Sequence, residues 1–467
     1  MLTDFILTRI HNNLPYSPNE QQEELLVKLC HFILSTTPDR LFLLCGYAGT
    51  GKTSLVAGVV QTLHSLQQKT VLLAPTGRAA KVLAAYSGKP TYTIHKQIYR
   101  QKAMGASQFG LSYNTYQDTI FIVDEASMIA NSSGNEEQGF GTGRLLDDLI
   151  EYVYSGRNCT LMLIGDNAQL PPVGQMVSPA LDIQFLQGYG LNVEQHTLTL
   201  VARQALDSGI LTNATELRSK IAAGNVMTAP TFLTKGFNDI HLLQGEEIVE
   251  EVEKAYRQVG VEQTMIVTRT NKRMNLYNQG VRARILWKEE ELSGGDRIMV
   301  TRNNYFWTKQ YEGLDFLANG DMFEVVRLKH FREMYGYRFV DASLHAIDYD
   351  WDIDVVLWLE TLSTDSPEAN YRLQQTLVSR IAEDYPEIRS KKEMWKKIME
   401  NPYYNALQVK HAYAVTCHKA QGGQWKRVFI DQGMISDEQY NVDYYRWLYT
   451  AVTRATEQVF LINFTQQ

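Results

Sequence analysis

The stretch Gly46–Thr53 reads GYAGTGKT, which fits the pattern G-x-x-x-x-G-K-[ST]. It follows the wholly apolar run Leu41–Cys45 and precedes a stretch, Ser54–Leu66, in which apolar residues recur with a helical period. A strand, a glycine-rich turn and a helix are the setting in which this pattern binds phosphate groups. The glycines let backbone N–H groups turn inward, and the helix N-terminus adds a partial positive charge. The stretch therefore predicts a nucleoside-triphosphate site.

The side chains of this stretch suit the same chemistry. Lys52 can neutralise phosphate oxygens, and the hydroxyl of Thr53 can bind Mg²⁺. A glycine turn that fits the pattern by chance is the alternative, which the flanking strand and helix make remote. The expected phosphate-binding positions are Gly46, Gly49, Thr50, Gly51, Lys52, Thr53 and Ser54.

Length and composition limit the class of protein. At 467 residues the chain is long enough for two to four domains, and 44% hydrophobic residues is ordinary for a globular protein. No apolar run reaches the length of a membrane span, and the four cysteines lack metal-binding spacing, so we expect a cytoplasmic protein without membrane association. A net charge of −7 argues against coating nucleic acid by bulk charge, but it permits a local basic groove.

Apolar strands alternate with helices along most of the chain. Besides residues 41–45, the runs 70–74, 119–123 and 160–164 each end in a polar loop followed by helical spacing. This alternation predicts a doubly wound parallel sheet of α/β class. Similar apolar runs return later, and the first of them leads through Asn271 into a helix. Those later runs cover residues 265–267, 427–430 and 458–462.

Other stretches differ from this alternation. Residues 98–117 predict a protruding β-hairpin, and residues 131–143 a flexible polar loop. Residues 288–406 contain alternating, β-branched segments that predict a small antiparallel barrel inserted into the second α/β domain. Within that insertion, residues 366–380 and 391–399 predict helices.

Polar residues at strand ends are the candidate catalytic groups. Asp124 and Glu125 follow residues 119–123, so Asp124 is expected to hold Mg²⁺ and Glu125 to activate the attacking water. Gln169, after the next strand, can sense the γ-phosphate. Arg203 and Arg454 are candidates for stabilising the charge that develops during phosphoryl transfer. Taken singly, the acidic pair could be a solvated strand end, Gln169 part of a rigid turn, and each arginine a surface ion pair.

Taken together and in order, the motifs resemble those of the superfamily 1 helicases of the B type, and among them the RecD-like and Dda-like enzymes. The resemblance extends over residues 22–455, nearly the whole chain. It rests on GYAGTGKT, LLAPTGRAA, TIH, VDEAS, GDNAQLPPVG, LVARQ, TCHKAQGGQ and LYTAVTRA.

The resemblance implies two RecA-like domains with ATP between them, a pin that splits the duplex, and a barrel similar to Src-homology-3 domains. It also implies 5′→3′ translocation on single-stranded DNA and action at duplex junctions, by an enzyme we expect to be monomeric. The expected first domain is 1–200, with the pin at 98–117. The second is 201–287 with 407–467, and the barrel with its helical extension is 288–406.

The resemblance also assigns roles to residues. Gln22, or less favourably Gln21, is expected to read the adenine edge of ATP. Contacts to DNA should be directed at phosphates and independent of sequence, helped by aromatic stacking. Phe109 or Met104, at the hairpin tip, is the candidate wedge, although a core role is as common for such residues. The expected DNA-binding residues are Thr76, His95, Phe109, Asn271, Thr416 and His418.

Two features depart from the resemblance. Gln424, preceded by Gly423, stands where these helicases usually have an acidic residue. This difference affects how the ribose of the nucleotide would be bound and which nucleotide would be selected. Residues 361–400 form a longer and more basic insertion than the smallest relatives need, and a solvated helical face is its simplest interpretation. The alternative functions are a DNA-stimulated ATPase that displaces bound proteins without processive unwinding, and a non-catalytic nucleic-acid-binding scaffold.

Overall fold

The computed structural model describes residues 2–101, 109–132, 140–201, 207–311, 316–348 and 351–464. The helices in these ranges are α1 (Leu2–Asn13), α2 (Glu20–Leu34), α3 (Lys52–Ser65), α4 (Gly77–Ser87), α5 (Ile94–Ile98), α6 (Leu145–Ser155), α7 (Ile183–Gln187), α8 (Gly209–Ala223), α9 (Ile248–Val259), α10 (Asn271–Arg284), α11 (Pro367–Ala382), α12 (Lys391–Glu400), α13 (Cys417–Ala420) and α14 (Val442–Val452).

The strands of the same ranges follow the chain from the first unit into the second and back. They are β1 (Arg40–Gly46), β2 (Lys69–Ala74), β3 (Thr91–Thr93), β4 (Tyr99–Gln101), β5 (Phe109–Leu111), β6 (Thr119–Val123), β7 (Thr160–Gly165), β8 (Asn192–Leu198), β9 (Ile240–Leu243), β10 (Thr264–Thr268), β11 (Arg297–Val300), β12 (Met322–Met334), β13 (Tyr337–Ala346), β14 (Asp352–Trp358), β15 (Leu407–His411), β16 (Ala414–Thr416), β17 (Trp425–Asp431) and β18 (Ala455–Ile462).

The chain forms two compact units. The first contains residues 1–243, 420–430 and 434–467, and the second contains residues 244–419 and 431–433. Within the described residues, no helix is both long enough and apolar enough to cross a lipid bilayer.

The first unit is built on a six-stranded parallel sheet with the order β3-β2-β6-β7-β1-β8. Its central strands are apolar throughout and buried on both faces, which is the pattern that parallel sheets covered by helices require. The register places the carboxyl ends of β1, β6 and β7 at one edge, where Cys45 pairs with Gly165 and Val123 with Leu163. Ligands of open α/β sheets bind at this edge.

The same unit holds a second group of parallel strands, in which β18 lies between β17 and β9. Helix α14 connects β17 to β18 and packs against α8. The predicted α/β class with parallel, RecA-like sheets is thereby confirmed.

The second unit contains a closed five-stranded barrel, β11-β12-β13-β14-β15, which confirms the predicted barrel, although β14 and β15 pair parallel and not antiparallel as predicted. Its interior is apolar, with Ile298, Val325 and Leu357 among its fully buried residues. Helices α11 and α12 confirm the two helices predicted from residues 366–380 and 391–399. They cover the outer side of the barrel through a separate cluster around Trp358, Leu377 and Ile398.

Some elements differ from the sequence predictions. Strand β15 closes the barrel, although the alternation pattern assigned it no part there. Ser17 followed by Pro18 is typical of a helix start, but helix α2 begins after Asn19, whose side chain caps it. The hairpin strands β4 and β5 pair antiparallel as predicted, but Met104 and most of the predicted flexible loop lie outside the described residues.

A buried carboxylate ties the barrel to the helix that precedes it. Asp296 is fully buried, and it accepts hydrogen bonds from Arg282 at 3.0 and 3.1 Å and from Lys288 and the Tyr413 hydroxyl at 2.9 Å each. The amide of Ser293 adds another at 2.7 Å. Burial raises the pKa of Asp296, but the hydrogen bonds from Arg282 and Lys288 outweigh burial and leave the pKa below its ordinary value.

Replacing Asp296 by Asn should destabilise the protein by about 3 kcal/mol, because the buried Arg282 and the half-buried Lys288 are left without a counterion. Urea denaturation measures the loss. The carboxylate's contribution is complete above its unfolded pKa, near pH 4, and is lost as the pH falls through the lower folded value. The Asp296→Asn variant should therefore lose less stability than the wild type as the medium is acidified below about pH 4.

Asp341 provides the matched control, since its ion pair with Arg332 lies on the surface of the same barrel, the arginine side chain being 41% exposed. Asp341→Asn should cost at most about 1 kcal/mol. Equal losses in the two variants would contradict the assigned importance of the buried cluster.

Candidate active site

The phosphate loop connects β1 to α3 as the sequence predicts. Gly49 and Gly51 have φ angles of +75° and +80°, which favour glycine. A Cβ atom on Gly51 would lie 2.8 Å from Nε2 of Gln22, so a side chain there would collide with the neighbouring helix. Lys52 donates hydrogen bonds to the carbonyl oxygens of Gly46 and Tyr47, the latter at 2.8 Å. The ammonium group of Lys52 therefore lies over the phosphate loop, where the phosphate groups are expected to bind.

Gln22 lies against this loop and Gln21 does not. Gln22 is 2% exposed and donates from Nε2 to the Thr50 carbonyl at 2.9 Å, while its Oε1 accepts from the amide of Asn19. Gln21 instead accepts from the amides of Thr199 and Leu200. Of the two glutamines, Gln22 therefore has the geometry to contact a nucleotide held by the loop.

The acidic pair lies at the carboxyl end of β6. The amide of Glu125 donates to Oδ1 of Asp124 at 2.8 Å, and Glu125 has a φ of +53°, a conformation that ordinary residues seldom adopt. Burial, followed by the negative charge of Glu125, raises the pKa of Asp124 to about 6, although Lys52 and Arg454 act in the opposite direction. Two carboxylates and two cations therefore share one electrostatic environment.

Arg454 is brought to the acidic pair. The guanidinium Nη1 lies 3.7 Å from Oε1 of Glu125, and the residue is only 4% exposed. The Thr450 carbonyl accepts from Nε of Arg454 at 3.0 Å, and the Gly423 carbonyl accepts from Nη1 at 3.3 Å. A surface ion pair, the simpler interpretation of this arginine, is excluded by its burial. Arg203, the other candidate arginine, lies outside the described residues.

Gln169 lies in the loop that follows β7. It is 7% exposed, and its Oε1 is buried without a hydrogen-bond partner among the described residues. A buried acceptor without a partner is costly, so it fits a group that receives its hydrogen bond when ligand or water is present. The hydroxyl of Tyr16 is likewise buried without a partner, 3.0 Å from where a Cβ atom on Gly51 would lie.

The expected DNA-binding residues of the first unit have different environments. Thr76 caps α4 by accepting from the amide of Ala79 at 3.2 Å. His95 packs against the rings of Tyr99 and Phe140, and burial lowers its pKa to about 4, so it is neutral at physiological pH.

The placement of Phe109 at the hairpin tip is wrong. Phe109 is the first residue of β5, is only 4% exposed, and has its ring 5.1 Å from that of Phe140. An aromatic ring buried in a cluster cannot insert between base pairs, so Phe109, which pairs with Gln101, is a core residue.

The remaining expected DNA-binding residues lie in the second unit. Strands β10 and β16 are parallel neighbours, with Thr268 opposite Thr416. Asn271 starts α10 just after β10, and Thr416 ends β16, so both lie at the carboxyl edge of this strand pair. His418 is exposed in α13. The structure therefore brings Asn271 and Thr416 to the same edge.

Sequence reasoning missed three residues of the site. Asp166 is 1% exposed directly after β7, and it accepts a hydrogen bond from the Tyr449 hydroxyl at 2.7 Å. Arg218 of α8 stacks on Tyr47 of the phosphate loop, with its guanidinium carbon 4.4 Å from the ring centre. The position of Asp166 at a strand end was a usable signal, whereas neither Tyr449 nor Arg218 has a spacing that points to the loop.

A phosphate loop on a parallel sheet, an acidic pair two strands away and an arginine from a distant segment define a P-loop nucleoside-triphosphatase. Two family models match the chain: the AAA domain over residues 17–229, and the UvrD-like helicase C-terminal domain over residues 411–462. The chain is an ATP-hydrolysing DNA helicase similar to the superfamily 1B enzymes of the RecD and Dda type.

Individual relatives agree with this assignment. The chain is 23% identical over 451 residues to the ATP-dependent DNA helicase dda of Enterobacteria phage T4, covering 89% of this chain and 93% of that protein. It is 31% identical over 137 residues to the ATP-dependent RecD2 DNA helicase of Deinococcus radiodurans, covering 29% and 16% of the two chains. A solved structure of two coordinating Pif1 helicases at forked duplex DNA shares the fold, with a TM-score of 0.50, 13% identity and coverage of 96% and 93%.

Replacing Lys52 by Ala should lower the rate of ATP hydrolysis at least about 100-fold, because the only lysine of the loop would no longer neutralise phosphate charge. A steady-state phosphate-release assay measures it. Lys69→Ala is the control, since Lys69 is exposed at the amino end of β2, at the opposite edge of the sheet. Normal turnover by Lys52→Ala would refute the site.

Proposed function

We propose that this protein couples ATP hydrolysis to 5′→3′ translocation on single-stranded DNA and to unwinding of duplex DNA at junctions. The observation that carries the proposal is the convergence of Lys52, Asp124, Glu125 and Arg454 on one poorly solvated space. The relatives named for ATP-dependent DNA helicase activity support the coupling to DNA, and the resemblance to the B-type enzymes supports the direction.

In this proposal the phosphate loop holds the triphosphate, and Thr53 and Asp124 supply the hard oxygen ligands that Mg²⁺ prefers. When bound, the metal would supply positive charge that offsets part of the negative charge of the phosphate groups. Glu125 orients the attacking water and accepts its proton. Lys52 exchanges its hydrogen bonds to loop carbonyls for bonds to phosphate oxygens.

Arg454 stabilises the charge that develops on the γ-phosphate. In the structure its positive charge is directed at Glu125 across 3.7 Å. A γ-phosphate next to Lys52 offers Arg454 a stronger, more negative partner, so the guanidinium can shift from the carboxylate to phosphate oxygens. That shift would free Glu125 to act on water. Gln169 is proposed to sense the γ-phosphate by donating from its side-chain NH2 group, and Arg203 to act as a second cation.

DNA is proposed to contact residues at or just after the carboxyl ends of strands in each unit. These are Thr76 and His95 in the first unit and Asn271, Thr416 and His418 in the second. Hydroxyl and amide groups can donate to phosphate oxygens without reading bases. His95 is neutral, so its contribution is a hydrogen bond or ring contact rather than a charge. A strand bound by such local contacts is compatible with the net charge of −7.

The direction is tested by unwinding duplexes that carry a single-stranded tail at either the 5′ or the 3′ end. We expect ATP-dependent strand separation with the 5′ tail and at least tenfold slower separation with the 3′ tail. Equal rates on the two substrates would overturn the proposed polarity. The same assay with tailed RNA duplexes shows whether the enzyme unwinds RNA as well as DNA.

A hairpin variant separates unwinding from simple translocation. Replacing residues 102–108, which join β4 to β5, by a short glycine-containing turn should preserve DNA-stimulated ATP hydrolysis but slow strand separation, because the proposed pin loses its tip. Unchanged unwinding by this variant would favour an enzyme that displaces bound proteins without using a pin.

A further inference from the structure

The hydroxyl of Tyr449 joins two loops of the active site. Tyr449 lies on α14, is fully buried, accepts a hydrogen bond from the amide of Ala48 at 2.8 Å and donates one to Oδ2 of Asp166 at 2.7 Å. Ala48 belongs to the phosphate loop, whereas Asp166 begins the loop that carries Gln169. A single oxygen atom therefore connects the phosphate loop to the loop after β7.

The chemistry of this bridge is well defined. Burial, followed by the charge of Asp166, raises the pKa of Tyr449 well above its ordinary value, so the hydroxyl keeps its proton and can donate. Asp166 is itself 1% exposed and uses its other oxygen to accept from the amide of Ala168 at 2.9 Å. A buried carboxylate depends on such donors, because each lost hydrogen bond leaves charge without compensation.

The same loop is held at its far end by two more residues of the C-terminal segment. The amide of Leu170 donates to Oγ1 of Thr450 at 2.9 Å, and its carbonyl accepts from Nε2 of Gln421 at 2.8 Å. Gln169 therefore lies between two anchored positions, Asp166 and Leu170. Its side-chain oxygen has no partner among the described residues, so its position is set by the backbone that carries it.

We infer that Tyr449 is a positioning residue for ATP hydrolysis. Its hydroxyl fixes the position of the loop that carries Gln169 relative to the phosphate loop. Loss of the hydroxyl leaves the Ala48 amide and the Asp166 carboxylate without their shared partner, so the two loops can shift independently. The phosphate loop keeps Lys52 and its remaining amides, so ATP binding should change little. The effect should therefore fall on the hydrolytic step, where small displacements are costly.

The inference extends to DNA, and in this part it rests on the proposed function. Gln421 follows Thr416 and His418, the proposed DNA contacts, in the same short segment of the sequence. Gln421 donates a hydrogen bond to the carbonyl of Leu170, so a movement of this segment on DNA binding would also move the loop that Tyr449 holds at Asp166. Without the Tyr449 hydroxyl, DNA binding should therefore stimulate ATP hydrolysis less.

Tyr449→Phe removes one oxygen atom and tests the inference by steady-state ATP hydrolysis with and without oligo-deoxythymidine. We expect kcat to fall about ten- to a hundredfold, the range that loss of a buried hydrogen bond to a charged group produces. KM for ATP should stay within about twofold, and the stimulation by DNA should decrease. A rise in KM with unchanged kcat would overturn the inference.

Tyr445→Phe is the matched control. Tyr445 lies one turn earlier on α14, is also fully buried, and its hydroxyl donates to the Thr228 carbonyl at 2.9 Å, a bond that involves neither active-site loop. It should lose a similar amount of thermal stability while its kcat stays within about twofold of the wild type. Equal losses of kcat in the two variants would assign Tyr449 a purely structural role and refute the inference.

A double-mutant comparison tests the route through Asp166. If Tyr449 acts through this carboxylate, adding Tyr449→Phe to Asp166→Asn should lower kcat by much less than it does in the wild type, because the bond is already disrupted. Fully independent effects would contradict that route. The proposed function is tested separately by unwinding. If the wild-type protein hydrolysed ATP but did not unwind DNA, the proposed function would fail, and the comparison of kcat values would still test the role of Tyr449.

Discussion

Asp124, Glu125, Lys52 and Arg454 bring two negative and two positive charges to one edge of the six-stranded sheet, where burial makes each isolated charge costly. The pKa of Asp124, raised to about 6, records that cost. The cations compensate it only in part. A site with such partly compensated charges favours a highly charged ligand. A cation would reduce the free-energy cost of burying the two carboxylates, and phosphate oxygens would pair with Lys52 and Arg454.

The compensation depends on residues that are far apart in the sequence. The phosphate loop and the acidic pair come from the first 125 residues, whereas Arg454, Tyr449 and Thr450 come from α14 and the turn after it. The hydrogen bond between Tyr449 and Ala48 spans 401 residues of chain. Assembly of the site therefore requires the C-terminal helix to be docked, and any change in that docking alters the charges and both loops together.

Local patterns predicted much of this architecture. The apolar runs around Leu43, Ile122 and Leu163 predicted the central strands, because buried parallel strands need no alternation. The glycines and the lysine of the phosphate loop predicted a phosphate site because the whole motif lies within one short stretch of sequence. Asp124 and Glu125 were placed correctly because strand ends of a parallel sheet meet at one edge.

Other features depend on tertiary contacts that no local pattern encodes. The sequence around Phe109 is compatible with an exposed hairpin tip, whereas in the structure Phe140 from a later loop packs against the buried ring. Strand β15 alternates apolar and polar residues, but its polar residues Gln408, Lys410 and His411 are buried as well, so the pattern alone does not show that the strand closes the barrel. The role of Tyr449 depends on two partners that are distant in sequence, so its helix predicted only an apolar, buried face.

The barrel begins and ends on neighbouring strands. Its first strand, β11, and its last, β15, are antiparallel neighbours, with Ile298 opposite His411. The chain therefore enters and leaves the barrel at adjacent positions, so the insertion need not separate the parts of the sequence that flank it. The buried Asp296 cluster lies at this same point, where it joins Arg282 of the preceding helix to Tyr413 after β15. The hydrogen bond from the Tyr413 hydroxyl to Asp296 thus holds the exit segment against the entry segment, where the same carboxylate pairs with Arg282.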